Sequence, residues 1–275
     1  NGQLLVGTDG DGLYVYDHAN KMVQLAHYNS SDASAGSISG DVVKTIYEDS
    51  KGRVWMGYFG AGLDVYDPMS NSFERIFEDG ILSTANVWDI DELANGSILI
   101  ATLGDGLFVY DPKIGIAQRL DQLEHRRIME IFVDSSNRIW VGSAEGGLEL
   151  IDAQGVLIYS FEHDRADSTS ISDNAIRAVF EDVEGDIWVG TERGGLNLWM
   201  GQKNFKRYDE SSGLLSNNVT GIAEDSLGIL WVSGFKGVSS FDLDIDSISN
   251  YNFHNEKDAN QFNQGALLVS QTKQI

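Results

Sequence analysis

The chain has 275 residues, 30 glycines, two prolines and no cysteine, and 19 basic residues stand against 42 acidic ones for a net charge of −23. Without thiols there is no disulfide framework and no cysteine chemistry, and the redox compartment stays open. So negative a field repels phosphate, which argues against nucleic acid and anionic membrane surfaces as partners, and no apolar run reaches the length of a membrane span.

Read from its start, the chain writes one phrase six times. The first copy begins mid-phrase with Leu5, Val6, Gly7, Thr8, Gly12 and Leu13; the second runs through Asp49, Gly52, Trp55, Gly57, Gly62 and Leu63. A third, with Asp91, Gly96, Ile98, Ala101, Gly106 and Leu107, lacks the tryptophan. Asp134, Trp140, Gly142, Gly147 and Leu148 make the fourth. The fifth is the clearest: Asp182, Gly185, Ile187, Trp188, Val189, Gly190, Thr191, Gly194, Gly195 and Leu196. Asp225, Gly228, Trp231, Gly234, Gly237 and Val238 make the sixth. The glycines before the leucine position (Gly12, Gly62, Gly106, Gly147, Gly195, Gly237) are separated by 50, 44, 41, 48 and 42 residues.

Periods of about 40 to 50 residues belong to solenoids, propellers or arrays. In the fifth unit four strands are expected, at 175–181, 187–191, 196–199 and 205–208, separated by Gly-rich and Asx-rich turns as in an antiparallel meander. No stretch holds a 3.6-residue apolar period over ten residues. Pro68 and Pro112 each follow an aspartate at the end of a third strand, where a turn begins and no ladder donor is lost. The fold class is therefore all-β, a β-propeller of four-stranded antiparallel blades, read as one domain over 1–275 with six blades, seven being open for the parent protein.

Trp55, Trp140, Trp188 and Trp231 hold one place in the repeat, on the second strand among apolar residues. They are assigned to the contacts between successive blades, in preference to stacking on sugars. The small residues that follow, Gly57, Ala101, Gly142, Gly190 and Ser233, permit close packing where strands crowd. Asp9, Asp11, Asp105 and the pairs Glu48-Asp49, Glu181-Asp182 and Glu224-Asp225 lack calcium-loop spacing and are read as turn residues. His18, His27, His125, His163 and His254 form no HxH or HExxH pair, and no serine lies in a GxSxG elbow. His125, His163 and His254 fall in connections between blades. No catalytic residue, metal or cofactor is expected.

Long connections join the blades at 29–41, 78–86, 121–127, 162–174, 209–218 and 252–264, and emerge beside the loops between second and third strands. Variation on a fixed scaffold is where binding specificity resides. Leu103, Glu145 and Glu192 vary at the same loop position, and Arg177 adds to a basic centre on an acidic body. The candidate ligand contacts are Tyr58, Phe59, Arg126, Arg127, Arg193, Phe235 and Lys236.

The stretches Val179 to Leu196 and Gly213 to Val219 resemble the two-component regulator propeller repeats, and the likeness spans essentially the whole chain. The segments ending at Ser39 and Ser172 resemble that family's interblade linkers. The resemblance implies the periplasmic sensor domain of a bacterial membrane-spanning regulator, a hybrid histidine kinase or diguanylate cyclase. It implies recognition of a small ligand, often a carbohydrate fragment, without catalysis. The expected partners are a small-molecule or oligosaccharide ligand and, in the full-length protein, a second copy; no nucleic acid and no direct membrane contact are expected. Two other readings stand beside it: a lyase of the streptogramin-inactivating kind, with a metal at the central channel, and a protein-binding platform. The first copy lacks a first strand, so Ala266 to Ser270 is expected to complete its blade; Gln261 to Ala266 also resembles the opening of a seventh blade.

Overall fold

The computed structural model describes residues 3–17, 22–31, 37–70, 72–243, 245 and 247–251. They form two compact units, Asn1–Ile128 and Met129–Ile275. In the first, β1 (Gln3–Gly7), β2 (Leu13–Asp17) and β3 (Val23–Tyr28) make a three-stranded sheet. Two four-stranded sheets follow: β4 (Val43–Glu48), β5 (Val54–Tyr58), β6 (Gly62–Asp67) and β7 (Ser72–Arg75), then β8 (Val87–Glu92), β9 (Ile98–Thr102), β10 (Gly106–Asp111) and β11 (Ile116–Arg119).

The second unit holds three more four-stranded sheets. Their strands are β12 (Ile128–Val133), β13 (Ile139–Ser143), β14 (Leu148–Ile151) and β15 (Leu157–Phe161); β16 (Ile176–Glu181), β17 (Ile187–Thr191), β18 (Leu196–Trp199) and β19 (Phe205–Tyr208); and β20 (Gly221–Glu224), β21 (Ile229–Gly234), β22 (Gly237–Asp242) and β23 (Ser247–Tyr251). Every sheet is an antiparallel meander of strands in sequence order. The fold is an all-β propeller of six blades, and among the described residues the only helical elements are two short turns at Ile81–Ser83 and Glu210–Ser212. The expected pairing of Ala266 to Ser270 lies outside the described residues.

The second strands of four blades are sealed on both faces, so they read as continuous apolar runs: every residue of β5, β9, β13 and β17 is buried. The tryptophans supply the bulk. Trp55, Trp140 and Trp188 are 1%, 0% and 1% exposed, and each meets an aromatic ring of the following blade: Tyr110 at 5.9 Å, Trp199 at 5.0 Å and Phe241 at 6.0 Å. Trp231 departs from this expectation. It is only partly buried, and its ring stacks on Tyr251 of its own blade at 5.4 Å.

The repeat aspartate explains how an indole N–H survives in such a core. Trp55, Trp140, Trp188 and Trp231 each donate Nε1–H to the aspartate six residues earlier, at 2.9, 2.9, 2.7 and 2.9 Å. The other carboxylate oxygen closes the turn between first and second strands. Asp182 there accepts the backbone N–H of Glu184 at 3.1 Å and of Asp186 at 2.9 Å. The glutamate that ends a first strand reaches back one blade: Glu181 accepts both the N–H and the hydroxyl of Ser135, and Glu92 those of Ser50. Part of the chain's large negative charge is thus structural.

Small residues on the second strand face a valine in, or just before, the first strand of the next blade. A Cβ at Gly57 would lie 2.5 Å from Val87 Cγ1, and one at Gly190 2.4 Å from Val219 Cγ1. A single methyl there has nowhere to go.

Candidate functional site

Within each unit, hydrogen bonds hold the loops between second and third strands against the connections into the next blade. In five blades the glycine that opens the third strand donates its N–H to a carbonyl of the connection into the next blade: Gly12 to Asp41 (2.9 Å), Gly62 to Ala85 (3.2 Å), Gly106 to Arg126 (3.1 Å), Gly147 to Asn174 (2.8 Å) and Gly195 to Asn217 (2.8 Å). These glycines have φ between 76° and 94°, a region closed to most side chains. At Gly195 a Cβ would also fall 2.2 Å from the Tyr208 carbonyl oxygen.

The third strands grip the same connections with polar side chains set into otherwise apolar runs. Asp64, 1% exposed, accepts the N–H and hydroxyl of Ser39 at 2.7 and 2.6 Å. Asn197 accepts the Ser172 N–H at 3.0 Å, and Ser239 Oγ accepts the Leu215 N–H at 3.1 Å. Burial raises the Asp64 carboxyl against the opposing pull of its hydrogen bonds from Ser39 and Tyr58. The neighbouring Tyr58 hydroxyl is pushed up as well, by its own burial and by the Asp64 charge.

Tyr58 is therefore a core residue. Its side chain is fully covered, packed with Leu13, Val15, Ile38 and Tyr66, and presents no surface to a ligand. Phe59, one residue on, is 50% exposed, with its N–H held by the Val42 carbonyl at 3.0 Å. Arg126 and Arg127 are exposed on the same unit, in the connection that leads to β12. In the second unit, Arg193 and Phe235-Lys236 project from the second-to-third loops of successive blades, and both loops are anchored to the connection between them. Asn218 Nδ2 donates to the Glu192 carbonyl at 3.0 Å, and the N–H groups of Asn217 and Glu210 exchange hydrogen bonds with each other's side chains at 3.1 and 2.8 Å. Lys236 Nζ lies 2.8 Å from Glu210 Oε1, and Arg193 Nε 3.3 Å from Asp173. Phe235 is 49% exposed beside them.

His163 belongs to the scaffold of its connection: its N–H donates to Asn174 Oδ1 at 2.6 Å and its Nδ1 lies 2.8 Å from the Ile171 carbonyl. His254 lies outside the described residues.

One feature of the first strands is invisible in the sequence. In β4, β8 and β16 the register against the second strand slips by one residue at the same place, between Val43 and Thr45, Val87 and Asp89, and Ile176 and Ala178. Each slip is a β-bulge, which leaves one residue out of the ladder and re-aims its side chain. The residues so displayed are Lys44, Trp88 and Arg177. Lys44 Nζ pairs with Asp9 at 2.9 Å and sits 5.3 Å from the centre of the Trp88 ring; Arg177 pairs with Glu192 of its own blade. In β12 the matching residue, Met129, is 5% exposed, and before β20 it is Thr220, 4% exposed.

A family model described as the two component regulator propeller matches residues 37–60, 170–193 and 213–236, each covering a linker end, a first strand and the loop contacts just described. The curated protein histidine kinase P4 of Formosa agariphila is 26% identical over 96% of this chain, which spans 20% of that protein's length. The extracellular domain of BT3049 of B. thetaiotaomicron, named as a hybrid two component system, has the same fold with a TM-score of 0.82 at 23% identity, over 99% of this chain and 36% of that one. A streptogramin B lyase shares the fold at a TM-score of 0.70 and 16% identity, over 93% of this chain and 80% of that one. In these three stretches, and in the repeated blades that contain them, the chain is similar to the two component regulator propeller.

Proposed function

We propose that this propeller is the ligand-sensing, periplasmic part of a bacterial transmembrane signalling protein, and that it binds a small ligand, an oligosaccharide foremost, at the end of the blades where the interblade connections gather. The observation that carries the reading is the division of labour within the repeat. The recurring tryptophan, aspartate, glutamate and glycine of the repeat serve the core and turns, while the loops pinned by the glycine N–H groups differ from blade to blade. A fixed frame with variable exposed residues suits recognition. The histidine kinase relative and the extracellular domain of BT3049 support the signalling context. No helix among the described residues is long and apolar enough to cross a membrane.

Calorimetric titration of the purified chain with neutral tri- to hexasaccharides tests the reading. Saturable binding without turnover of the sugar supports it; absence of binding across the panel overturns the oligosaccharide assignment. The lyase reading is favoured by the fold match to streptogramin B lyase. Its test is incubation with a streptogramin B and magnesium, where opening of the ring would support an enzyme. A protein-binding platform would instead retain a partner and bind no sugar.

A further inference from the structure

We propose that Trp88 is the stacking platform of this ligand site and that Lys44 and Asp9 are its polar flank, together selecting a neutral sugar ring. The proposal rests on the ligand-sensing reading above and deepens it.

Trp88 differs from the repeat tryptophans in position and surroundings. Those lie on second strands, with their indole N–H groups bound to turn aspartates. Trp88 lies on a first strand, at the residue that the β-bulge takes out of the ladder, three residues beyond the carbonyl of Ala85 that anchors the Gly62 loop. It is partly exposed, and its face carries the Lys44 ammonium at 5.3 Å. Lys44 occupies the same bulge position one blade earlier. Its second partner, Asp9, belongs to the second-to-third loop of the first blade and is 74% exposed in its side chain. Three consecutive blades thus place an acceptor, a donor and an aromatic face in a row.

The chemistry of that row selects among ligands. An indole face takes the apolar C–H face of a ring, while the Lys44 ammonium supplies three donors and the Asp9 carboxylate accepts from hydroxyls. The ammonium and carboxylate cancel locally. A ligand bearing its own carboxylate or phosphate would meet Asp9, Asp89 beside Trp88, and the field of a chain with net charge −23. A wholly apolar ligand would strip water from Lys44 and Asp9 without replacing their hydrogen bonds. A polyhydroxylated ring without charge satisfies both demands. On binding it takes the indole face that Lys44 now covers, and the ammonium keeps Asp9.

The test uses the purified chain and xylo-, manno-, cello- and arabino-tetraose, each titrated by calorimetry and by tryptophan emission. For any sugar that binds the wild type, Trp88→Ala is expected to weaken binding about tenfold or more and Trp88→Tyr to retain most of it. Lys44→Met is expected to give a smaller loss, and the wild-type emission change is expected to vanish in Trp88→Tyr. If Trp88→Ala does not fold, the Trp88→Tyr emission decides. Equal affinity in wild type and Trp88→Ala, or an unchanged emission response in Trp88→Tyr, overturns this inference and leaves the sensing reading standing. Failure of all four sugars to bind the wild type overturns both.

Discussion

Trp188 and Asp182, six residues apart, meet through a 2.7 Å hydrogen bond from indole to carboxylate, with only 1% of the tryptophan and 6% of the aspartate exposed. The same carboxylate closes the turn that leads to β17, so one side chain couples turn geometry to core packing. Trp188→Ala is expected to cost about 3–5 kcal/mol. Asp182→Ala leaves a buried donor without a partner and is expected to cost about 1–3 kcal/mol. Because both remove one shared bond, a double-mutant cycle with Trp188→Phe and Asp182→Ala should show a coupling of about 0.5–3 kcal/mol. Additive effects in denaturant unfolding would show that the bond contributes nothing of its own.

The same pairing makes a prediction about acid. Burial alone would push the carboxyl of Asp49 up, yet hydrogen bonds from the Trp55 indole and from Arg53 and Lys51 outweigh it and hold the group below its ordinary value of 3.8; Asp225 is lowered in the same way. A carboxyl lowered by folding contributes stability that is fully present above the unfolded value and is lost as pH falls through the folded one. The melting temperature should therefore drop as pH falls below about 3.8. Asp49→Asn should be less stable at neutral pH and flatter across that acid range. Asp64 works against the trend: its folded value is raised by burial, so its contribution is greatest below the unfolded value and declines as pH rises through the folded one. An acid limb unchanged in Asp49→Asn would remove Asp49 from the account.

Much of this architecture was legible in the sequence because the repeat states its own physics. The strands expected at 187–191, 196–199 and 205–208 match β17, β18 and β19, and β16 begins one residue later than expected, at Ile176. Alternation and turn glycines fix such bounds locally. The Asp-to-Trp hydrogen bond was within reach, since the spacing is constant at six residues, but a spacing alone does not distinguish a turn residue from one that also accepts a buried donor. Tyr58 went astray because the end of a second strand adjoins an exposed loop; the carboxylate of Asp64 in an apolar third strand was the available sign of a buried partner. The bulges that display Lys44 and Trp88 depend on strand register, which no single strand records.

Close packing gives a third prediction. At Gly190 the obstacle to a Cβ is the Val219 side chain, at 2.4 Å; at Gly195 it is the Tyr208 backbone oxygen, at 2.2 Å. Gly190→Ala should destabilise by about 1–3 kcal/mol through overpacking, and Val219→Ala in the same chain should recover part of that loss by vacating the space. Gly195→Ala has no such remedy, since trimming a side chain cannot move a carbonyl and φ is 82°. The two variants are told apart by combining each with Val219→Ala and measuring unfolding. Rescue of both would show that the blades shift to absorb a methyl.

The last prediction separates the loop surface from the scaffold. Lys236 lowers the carboxyl of Glu210 chiefly by their hydrogen bond, helped by the Asn217 N–H bond, and the Lys236 side chain is 56% exposed. Exposed pairs of this kind contribute little to folding, so Lys236→Ala should leave the melting temperature unchanged. It should return the Glu210 carboxyl toward its ordinary value of 4.5, a shift that carbon-detected NMR titration can follow. Arg193→Ala, whose partner Asp173 is reached from a side chain 73% exposed, should be equally silent in stability. If these residues touch ligand, both variants must weaken binding of a sugar that the wild type takes up, with no loss of fold. Unchanged affinity in both would assign Arg193 and Lys236 to loop anchoring alone and confine recognition to other residues at this end of the blades.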